Sequence, residues 1–309
     1  MILDGALRAC ILSAADSALV RNVVNRYGMR FGAKRFVAGE SADDFLRATR
    51  DANARGFAVA GGILGENVCD REAAISAASE YCALLKAFAE QKLDANVAFK
   101  LTHLGLDLDP ELAFTNAARI AETARAAGNA VRIDMEQSTY VKATLATYRR
   151  LRERFDNVGF VVQSYLLRSR GDLEAMLPLR PNVRIVKGAY LEPASVAYAH
   201  KRDVDENYLR LAELALSGSG YTAIATHDPA IVTWTQRYAA AHGLPKRGRF
   251  EFQMLYGIGA PLAQRLLDEG YRVRLAIPYG AYWFPYLMRR LAERPANLAF
   301  FLKGALSRG

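Results

Sequence analysis

The stretch AVRIDME, residues Ala130–Glu136, alternates apolar and charged side chains with the two-residue period of a β-strand. Arg132, Asp134 and Glu136 share one face of this strand, and apolar side chains occupy the other. Charge is rare on either face of a barrel strand, because helices cover the outside and side chains fill the inside. The charged face is therefore predicted to point into the interior of a barrel.

Seven further β-rich runs lie along the chain, and segments with helical punctuation separate them. This punctuation includes Asp109-Pro110, an N-cap followed by proline at the first helical position, and a stop at Gly128-Asn129. The eight predicted strands are Gly56–Ile63, Asn96–Thr102, Ala130–Glu136, Val158–Tyr165, Val183–Gly188, Tyr221–His227, Arg249–Leu255 and Val273–Tyr279. Eight βα units in about 250 residues are typical of a (β/α)8 barrel, whose active site lies at the carboxyl ends of the strands.

A doubly wound sheet is the alternative fold. It is disfavoured because the sequence contains neither G-x-G-x-x-G after a strand nor G-x-x-x-x-G-K-[ST]. No Pro/Gly/Ser-rich linker divides the chain. We therefore predict one α/β domain of the TIM-barrel type, in which residues 1–55 form helices that pack on a barrel of residues 56–309.

Composition excludes several classes of protein. The chain has 309 residues, of which 51% are hydrophobic, so it can bury a sizeable core and disorder is not its main feature. Its apolar stretches are shorter than the roughly 18 to 20 residues that cross a bilayer, and Asp4 and Arg8 interrupt any secretory signal, which predicts a cytoplasmic protein. The net charge of +9 favours anionic partners: nucleic acid, a phosphate-bearing cofactor, a carboxylate substrate or an anionic membrane surface.

Metal binding has little support from residue spacing. Cys10, Cys69 and Cys82 form no C-x-x-C pair, and the four histidines form neither H-x-x-x-H nor H-E-x-x-H. No metal site and no disulfide framework are predicted.

Polar side chains on the inward faces of several strands converge on one barrel mouth. They are Lys100, Asp134, Gln163, Arg184, Lys187, Thr226, His227, Glu251 and Gln253. Structural roles are alternatives for single members: Lys100 with Asp134 or Arg132 with Glu136 as interior ion pairs, and His227, Gln163 and Gln253 as partners of nearby backbone. The complete set is better explained by a functional site.

The last βα unit adds a second signal. Tyr286, Arg289, Arg290 and Glu293 follow the spacing i, i+3, i+4, i+7 and so share one helical face. Two guanidinium groups beside a phenol make a carboxylate clamp, because the planar fork of arginine binds both oxygens. A solvated basic face with an Arg289–Glu293 pair is the alternative.

Four segments together resemble the family of FAD-dependent proline dehydrogenases, in its monofunctional bacterial branch. They are Arg184–Tyr190 (RIVKGAY), Ala225–Asp228 (ATHD), Glu251–Gly257 (EFQMLYG) and Tyr286–Leu291 (YLMRRL), and Leu64–Glu66, Ile133–Glu136 and Val162–Gln163 fit the same pattern in order. The resemblance implies a distorted (β/α)8 barrel whose last helix caps the mouth. It also implies an oxidoreductase acting on a CH–NH bond, with hydride transfer from C5 of L-proline to N5 of FAD and Δ1-pyrroline-5-carboxylate as the product.

The resemblance also implies roles for particular residues. Arg184 lies near flavin N5, where a fixed cation stabilises the negative charge that arrives with the hydride, and Asp134 orients a cation or the substrate amine. The implied cofactor contacts are Gln163, Arg184, Lys187, Gly188, Ala189, Thr226 and His227. The implied substrate contacts are Lys100, Arg289 and Arg290 for the carboxylate, and Tyr190, Leu255 and Tyr286 for the ring.

One position departs from the family pattern. The family usually has tyrosine two residues before the proline of its last strand, where this chain has Ala276. Replacing a phenol by a methyl group enlarges the pocket over the ring, and hydroxyproline-oxidising relatives also have a smaller residue there. Because an apolar pocket rejects an added hydroxyl only about 100-fold, 4-hydroxyproline or another substituted cyclic amino acid is the alternative substrate, unless another side chain fills the gap.

The resemblance implies partners as well. They are a quinone or other electron acceptor, a peripheral contact with the inner membrane, and coupling to a separate pyrroline-5-carboxylate dehydrogenase. Two more distant alternatives remain: an aldolase that uses Lys100 or Lys187 as a Schiff base, and a basic nucleic-acid-binding protein. No clustered basic or aromatic-interleaved stretch supports the second, so no nucleic acid is predicted as a partner.

Overall fold

The computed structural model describes residues 33–65 and 67–293, and the side chains of residue 289 and residues 291–293 lie outside that description. Eight parallel strands form a closed barrel in the order β1 to β8, and β1 pairs with β8 to complete the ring. The strands are β1 (Ala58–Ile63), β2 (Ala95–Phe99), β3 (Val131–Ile133), β4 (Val158–Gln163), β5 (Asn182–Val186), β6 (Tyr221–Ala225), β7 (Phe250–Leu255) and β8 (Val273–Tyr279). The prediction of an eight-stranded α/β barrel is confirmed.

The helices of the described chain are α1 (Ala42–Ala54), α2 (Arg71–Glu90), α3 (Pro110–Ala126), α4 (Val141–Arg152), α5 (Ser169–Glu174), α6 (Lys201–Ser217), α7 (Pro229–Ala241), α8 (Ala260–Asp268) and α9 (Trp283–Glu293). Seven of them, α2 to α8, connect successive strands and cover the barrel, whereas α1 precedes β1 and α9 follows β8. The predicted cap at Asp109 is present, because its carboxylate accepts a hydrogen bond of 2.9 Å from the backbone N–H of Glu111. Side chains on the outer faces of the strands, such as Phe160 and Phe252, form one continuous core with the helices.

The barrel departs from a regular (β/α)8 barrel at its closing point. Helix α1, which precedes the first strand in sequence, packs on β1 and β8, and Phe45 of this helix stacks on Tyr279 of β8 with 4.9 Å between ring centroids. Helix α9 instead joins a second apolar cluster, formed by Ala33, Phe36, Val37, Ile258, Trp283, Phe284, Leu287 and Met288, against which Leu64 and Leu255 pack. Because Leu64 follows β1 and Leu255 ends β7, α9 lies over the carboxyl ends of these strands, as the resemblance implied for the last helix.

Small residues make room for charged side chains inside the barrel. In the strand register Gly159 is the neighbour of Arg132, and Ala223 stands between Arg184 and Glu251. A glycine and an alanine at these positions leave interior volume that long polar side chains occupy. The predicted polar interior is thereby supported by the register of five neighbouring strands, β3 to β7.

Strand β3 is shorter than predicted. It ends at Ile133, although the backbone N–H of Asp134 still donates to the carbonyl oxygen of Phe99 at 2.8 Å. Arg132 donates to Asn182 Oδ1 at 2.5 Å, whereas Glu136 accepts hydrogen bonds from Thr102, at 2.5 Å from its hydroxyl and 3.2 Å from its backbone N–H. The chain leaves the sheet after Ile133, so Glu136 no longer follows the alternation on which the sequence prediction depended.

Candidate active site

The carboxyl end of the barrel contains an ion pair between two predicted site residues. Arg184, in the middle of β5, donates through Nη2 to Asp134 Oδ1, just after β3. The two side chains retain 12% and 28% of their exposure, respectively. Nη1 of Arg184 lies 3.5 Å from Gln253 Oε1, so the guanidinium group is placed between β3 and β7.

Towards the floor of the barrel from this guanidinium group lie Glu251, which the sequence analysis placed on an inward strand face, and Arg274, which it did not single out. Glu251 is 1% exposed and its Oε1 accepts a hydrogen bond of 2.8 Å from Arg274 Nε. Burial by itself raises the pKa of Glu251, but the charges of Arg274 and Arg132 outweigh it and lower the pKa to about 2. Arg274 lies two residues before Ala276 and therefore on the same strand face, which is the signal that could have identified it.

The end of β6 places Thr226 and His227 at the mouth. The hydroxyl of Thr226 accepts from the backbone N–H of Asp228 at 3.0 Å, and His227 Nε2 accepts from the backbone N–H of Leu255 at 3.0 Å. Because a backbone N–H can only donate, Nε2 of His227 carries no proton. These contacts link the end of β6 to the end of β7.

Lys187, directly after β5, lies between two carboxylates. Its Nζ is 2.8 Å from Asp228 Oδ2 and 2.5 Å from Asp205 Oδ1, and Lys201 joins the same cluster. Burial raises the pKa of Asp228, but the hydrogen bond from Lys187 and that from the backbone of Ala230 outweigh it, so the pKa lies below its usual value. Lys187, one of the implied cofactor contacts, thus belongs to a cluster of two lysines and two aspartates.

The segment after Lys187 has an unusual backbone. Gly188 has φ +113°, and a Cβ atom there would lie 2.1 Å from the ring of Tyr165, so only glycine fits. Ala189 and Tyr190 follow in a loop, and Glu192 fastens this loop by accepting hydrogen bonds of 2.6 Å from both the backbone N–H and the hydroxyl of Ser138. The loop after β5 is therefore attached to the loop after β3.

Gln163, the last residue of β4, is buried. Its side-chain Nε2 donates to the backbone carbonyl oxygen of Glu136 at 2.8 Å. Its backbone carbonyl oxygen accepts from the hydroxyl of Ser169. The first contact fixes the orientation of the amide, because the nitrogen must face the carbonyl of Glu136. Gln163 thus lies at the mouth and satisfies nearby backbone, as its structural interpretation predicted, and its contact with a cofactor stays a prediction.

Helix α9 places Tyr286 and Arg290 one turn apart. The guanidinium carbon of Arg290 lies 5.2 Å from the centre of the Tyr286 ring, and Arg290 is 8% exposed. The predicted contact between the phenol and a guanidinium is therefore present. Arg289 lies on the same helix, but its side chain is outside the described part of the structure.

Lys100 and Ala276 complete the set of predicted residues. Lys100 follows β2 directly and is half-buried. Ala276, also half-buried, lies between Ala60 of β1 and Leu255 of β7 in the strand register, and its carbonyl oxygen accepts from the backbone N–H of Tyr256 at 3.0 Å. The strand neighbours of Ala276 are thus an alanine and a leucine.

The described residues contain neither a metal-binding cluster nor a membrane-spanning helix. Among residues 33–65 and 67–293, no group of three histidine, cysteine, aspartate or glutamate side chains is arranged to hold a metal ion. Within the same ranges, no helix combines the length and apolarity that spanning a bilayer requires.

Known proteins are similar to this chain over nearly its whole length. A family model described as proline dehydrogenase matches residues 45–303. Proline dehydrogenase 1 of Bacillus subtilis subsp. natto is 41% identical over 302 residues, which cover 98% of this chain and 100% of that protein. Proline dehydrogenase of Deinococcus radiodurans is 41% identical over 310 residues, with 99% of each chain covered.

A solved structure with a similar fold is proline utilization A from Bdellovibrio bacteriovorus, inactivated by N-propargylglycine. It superimposes with a TM-score of 0.81 at 26% identity, covering 89% of this chain and 34% of that one. The chain described here therefore spans about a third of the length of that larger protein.

Proposed function

Because the chain belongs to the proline dehydrogenase family, we propose that it oxidises L-proline to Δ1-pyrroline-5-carboxylate with FAD as the hydride acceptor. The observation that carries the proposal is the position of Arg184, a largely buried guanidinium at the barrel mouth, held by Asp134. Active sites of such barrels lie at this end. A fixed cation in a site shielded from water stabilises negative charge more strongly than it does in bulk solvent.

The residues at the mouth fit a flavin dinucleotide. Within the described chain, Nε of Arg184 is buried and has no hydrogen-bond partner, so a donor is available to a bound group. Gly188 presents backbone without a Cβ atom at the end of β5, and Lys187, Thr226 and His227 are neighbouring polar groups at the ends of β5 and β6. These residues, with Gln163 and Ala189, would hold the cofactor.

FAD held by these residues would supply a two-electron acceptor for the hydride from C5 of proline, and the proton of the ring nitrogen would pass to water. Arg184 stabilises the negative charge of the reduced state, and Asp134 fixes the direction of the guanidinium group. Arg290, with Arg289 and Lys100, binds the substrate carboxylate. Tyr190, Leu255 and Tyr286 pack against the ring and exclude water.

Ala276 favours a second substrate class. Its methyl group lies in register with Ala60 and Leu255, which leaves volume where the family usually has a phenol. Oxidation of 4-hydroxyproline or another substituted cyclic amino acid is therefore the alternative activity. The Schiff-base aldolase is less well supported, since that chemistry needs a neutral amine and Lys187 is ion-paired with Asp205 and Asp228.

We also propose that the reduced enzyme passes its electrons to a quinone or another acceptor at a peripheral contact with the inner membrane. The support is a set of exposed apolar side chains in loops that follow the carboxyl ends of strands: Leu108, Leu167, Leu191 and Tyr282. Leu191 and Tyr282 are 78% and 74% exposed. The product would be consumed by a separate pyrroline-5-carboxylate dehydrogenase.

The test is the absorbance spectrum of the purified protein supplied with FAD, followed by anaerobic addition of L-proline and of 4-hydroxyproline. Bound flavin should bleach with at least one of them. Folded protein that takes up no flavin would contradict the cofactor. Flavin that neither amino acid reduces would contradict the substrate class, and borohydride trapping with a carbonyl substrate would then test the aldolase.

A further inference from the structure

A hydrogen-bond chain runs through the barrel interior from Glu251 through Gln253 to Arg184. We propose that Gln253 is a positioning residue for Arg184 and that the buried carboxylate of Glu251 sets the direction in which Gln253 points. The inference rests on the proposed function, in which Arg184 stabilises charge at the cofactor. It assigns the floor of the barrel a role in the reaction at the mouth.

The carboxylate of Glu251 is surrounded by donors. Its Oε1 accepts from Gln253 Nε2 at 2.6 Å and from Arg274 Nε at 2.8 Å, and its Oε2 accepts from the Tyr221 hydroxyl at 3.1 Å and from Arg272 Nε at 3.3 Å. An ionised carboxylate can only accept hydrogen bonds. The amide of Gln253 must therefore turn its nitrogen towards Glu251.

This orientation of the Gln253 amide determines which of its atoms faces Arg184. With Nε2 of Gln253 directed at Glu251, the carbonyl oxygen Oε1 is the atom that faces Arg184 Nη1, at 3.5 Å. A flipped amide would place its NH2 group opposite the guanidinium, where two donors would face each other. Glu251 therefore ensures that Arg184 finds an acceptor on the β7 side.

Two side chains hold the guanidinium of Arg184. Asp134 accepts from Nη2 and Gln253 lies next to Nη1, while Nε has no hydrogen-bond partner among the described residues. Without the Gln253 oxygen, Asp134 would be the one remaining side chain among the described residues that accepts from this group. Rotation about that one contact would move the charge away from the direction that the reaction needs.

A neighbouring cation makes this restraint necessary. Arg132 is 2% exposed, and burial, followed by repulsion from Arg184, lowers the pKa of Arg132 to about 10. Two guanidinium groups inside one barrel push each other apart. Glu251 offsets part of this repulsion, because its charge raises the pKa of Arg132.

The first experiment compares Gln253→Met with Gln236→Met. Methionine keeps the length of the side chain but removes its acceptor, and Gln236 is a matched control because it also donates to a glutamate, Glu269, on the surface. We expect Gln253→Met to lower the rate constant of flavin reduction by proline about tenfold, the change that losing one hydrogen bond produces. Flavin content and the dissociation constant of proline should stay within twofold of wild type, as should all three quantities in Gln236→Met.

The second experiment uses the cavity of about 480 Å³ that opens at the amino ends of the strands and is lined by Glu251, Arg274, Arg272 and Tyr221 among others. Glu251→Ala removes the carboxylate, and added acetate can enter from this side. We expect the variant to reduce its flavin slowly and acetate to restore the rate with a saturating dependence on concentration. Chloride at equal ionic strength should restore nothing, and acetate should not accelerate Gln253→Met.

The proposal would be overturned if Gln253→Met reduced its flavin with proline at the wild-type rate while Arg184→Lys reduced its flavin slowly. It would also be overturned by a slow Glu251→Ala that acetate leaves unchanged. If wild-type protein is not reduced by either amino acid, the proposed function has failed rather than the positioning. In that case crystal structures of wild type and Gln253→Met test the positioning directly. The proposal requires the guanidinium of Arg184 to be displaced in the variant, and an unmoved guanidinium contradicts it.

Discussion

The guanidinium of Arg184 on β5 and the carboxylate of Asp134 after β3 form an ion pair inside the barrel mouth, across the intervening strand β4. Both side chains are partly withdrawn from water, so removing one charge leaves the other without compensation. Asp134 therefore offsets the charge of Arg184 and restrains the direction of its guanidinium group.

We expect Asp134→Asn to retain flavin and to reduce it at least tenfold more slowly with proline, since a neutral amide holds the guanidinium less firmly than a carboxylate does. Anaerobic stopped-flow measurement of flavin bleaching gives the rate. Asp172→Asn, which breaks the surface pair with Arg168, is the control. Equal rates of flavin reduction in both variants would mean that Asp134 has no role in the reaction.

Arg290 is expected to act on substrate binding. Replacing it by alanine should raise KM for proline about 10- to 100-fold, because a charge-assisted hydrogen bond contributes about 1.5–3 kcal/mol. Flavin content should be unchanged, since the proposed cofactor contacts lie on or directly after β4, β5 and β6, whereas Arg290 lies on α9. Steady-state kinetics and the absorbance ratio of flavin to protein measure the two quantities, and Arg210→Ala on the exposed face of α6 is the control. Loss of FAD without loss of proline affinity would contradict the assignment.

Ala276 is expected to set the preference among ring substituents. Ala276→Tyr should increase discrimination for L-proline over 4-hydroxyproline, by up to about 100-fold, because a phenol would occupy the space over the ring. The ratio of kcat/KM for the two amino acids measures it. An unchanged ratio would mean that another side chain already fills the gap. Ala276→Ser adds a hydroxyl with little volume and so separates the effect of polarity from that of volume.

Gly188 is expected to tolerate no side chain. Gly188→Ala should reduce both flavin content and the melting temperature, since its Cβ would lie 2.1 Å from the Tyr165 ring at a φ of +113°. Gly243→Ala is a matched control: its φ is +63°, but nothing lies within 4 Å, so it isolates backbone strain of about 1 kcal/mol. If Gly188→Ala proves no more destabilised than Gly243→Ala, the close packing against Tyr165 is not required.

The barrel could be predicted because the two-residue period of strands and the i, i+4 spacing of helices are visible in short stretches of sequence. The β-rich runs at intervals gave all eight strands, and the alternation in Phe250–Leu255 placed Glu251 and Gln253 inside, where the structure has them buried. The i, i+4 relation between Tyr286 and Arg290 likewise needs only one helix. Periodicity is a property of neighbouring residues, so these features follow from the chain alone.

Pairing across the barrel could not be predicted in the same way. Considered one strand at a time, Asp134 had Lys100 as a candidate partner and Arg132 had Glu136, but in the structure Asp134 binds Arg184 and Arg132 binds Asn182. Which side chains meet depends on the stagger of strands that are not adjacent in sequence. The early end of β3 also turns Glu136 towards Thr102, and no local pattern marks that end.

Acid should weaken the fold through Glu251. Burial opposes ionisation of this group, but Arg274 and then Arg132 favour it more strongly and lower its pKa from 4.5 to about 2 in the folded protein. A depressed folded-state pKa gives stability that is complete above the unfolded pKa and is lost as pH falls towards the folded pKa. The shift corresponds to about 3 kcal/mol in the free energy of unfolding.

Glu251→Gln cannot titrate at this position and so isolates the effect. We expect wild type to lose free energy of unfolding relative to Glu251→Gln as pH falls from 5 towards 2, with the difference between the two proteins narrowing by about 3 kcal/mol. Urea unfolding at several pH values within this window measures the difference, and Glu174→Gln, which breaks an exposed pair with Arg170, should show little change. A difference that stays constant across the window would mean that Glu251 is not held ionised by its arginine neighbours, because only a group whose pKa differs between the folded and unfolded states can make stability depend on pH.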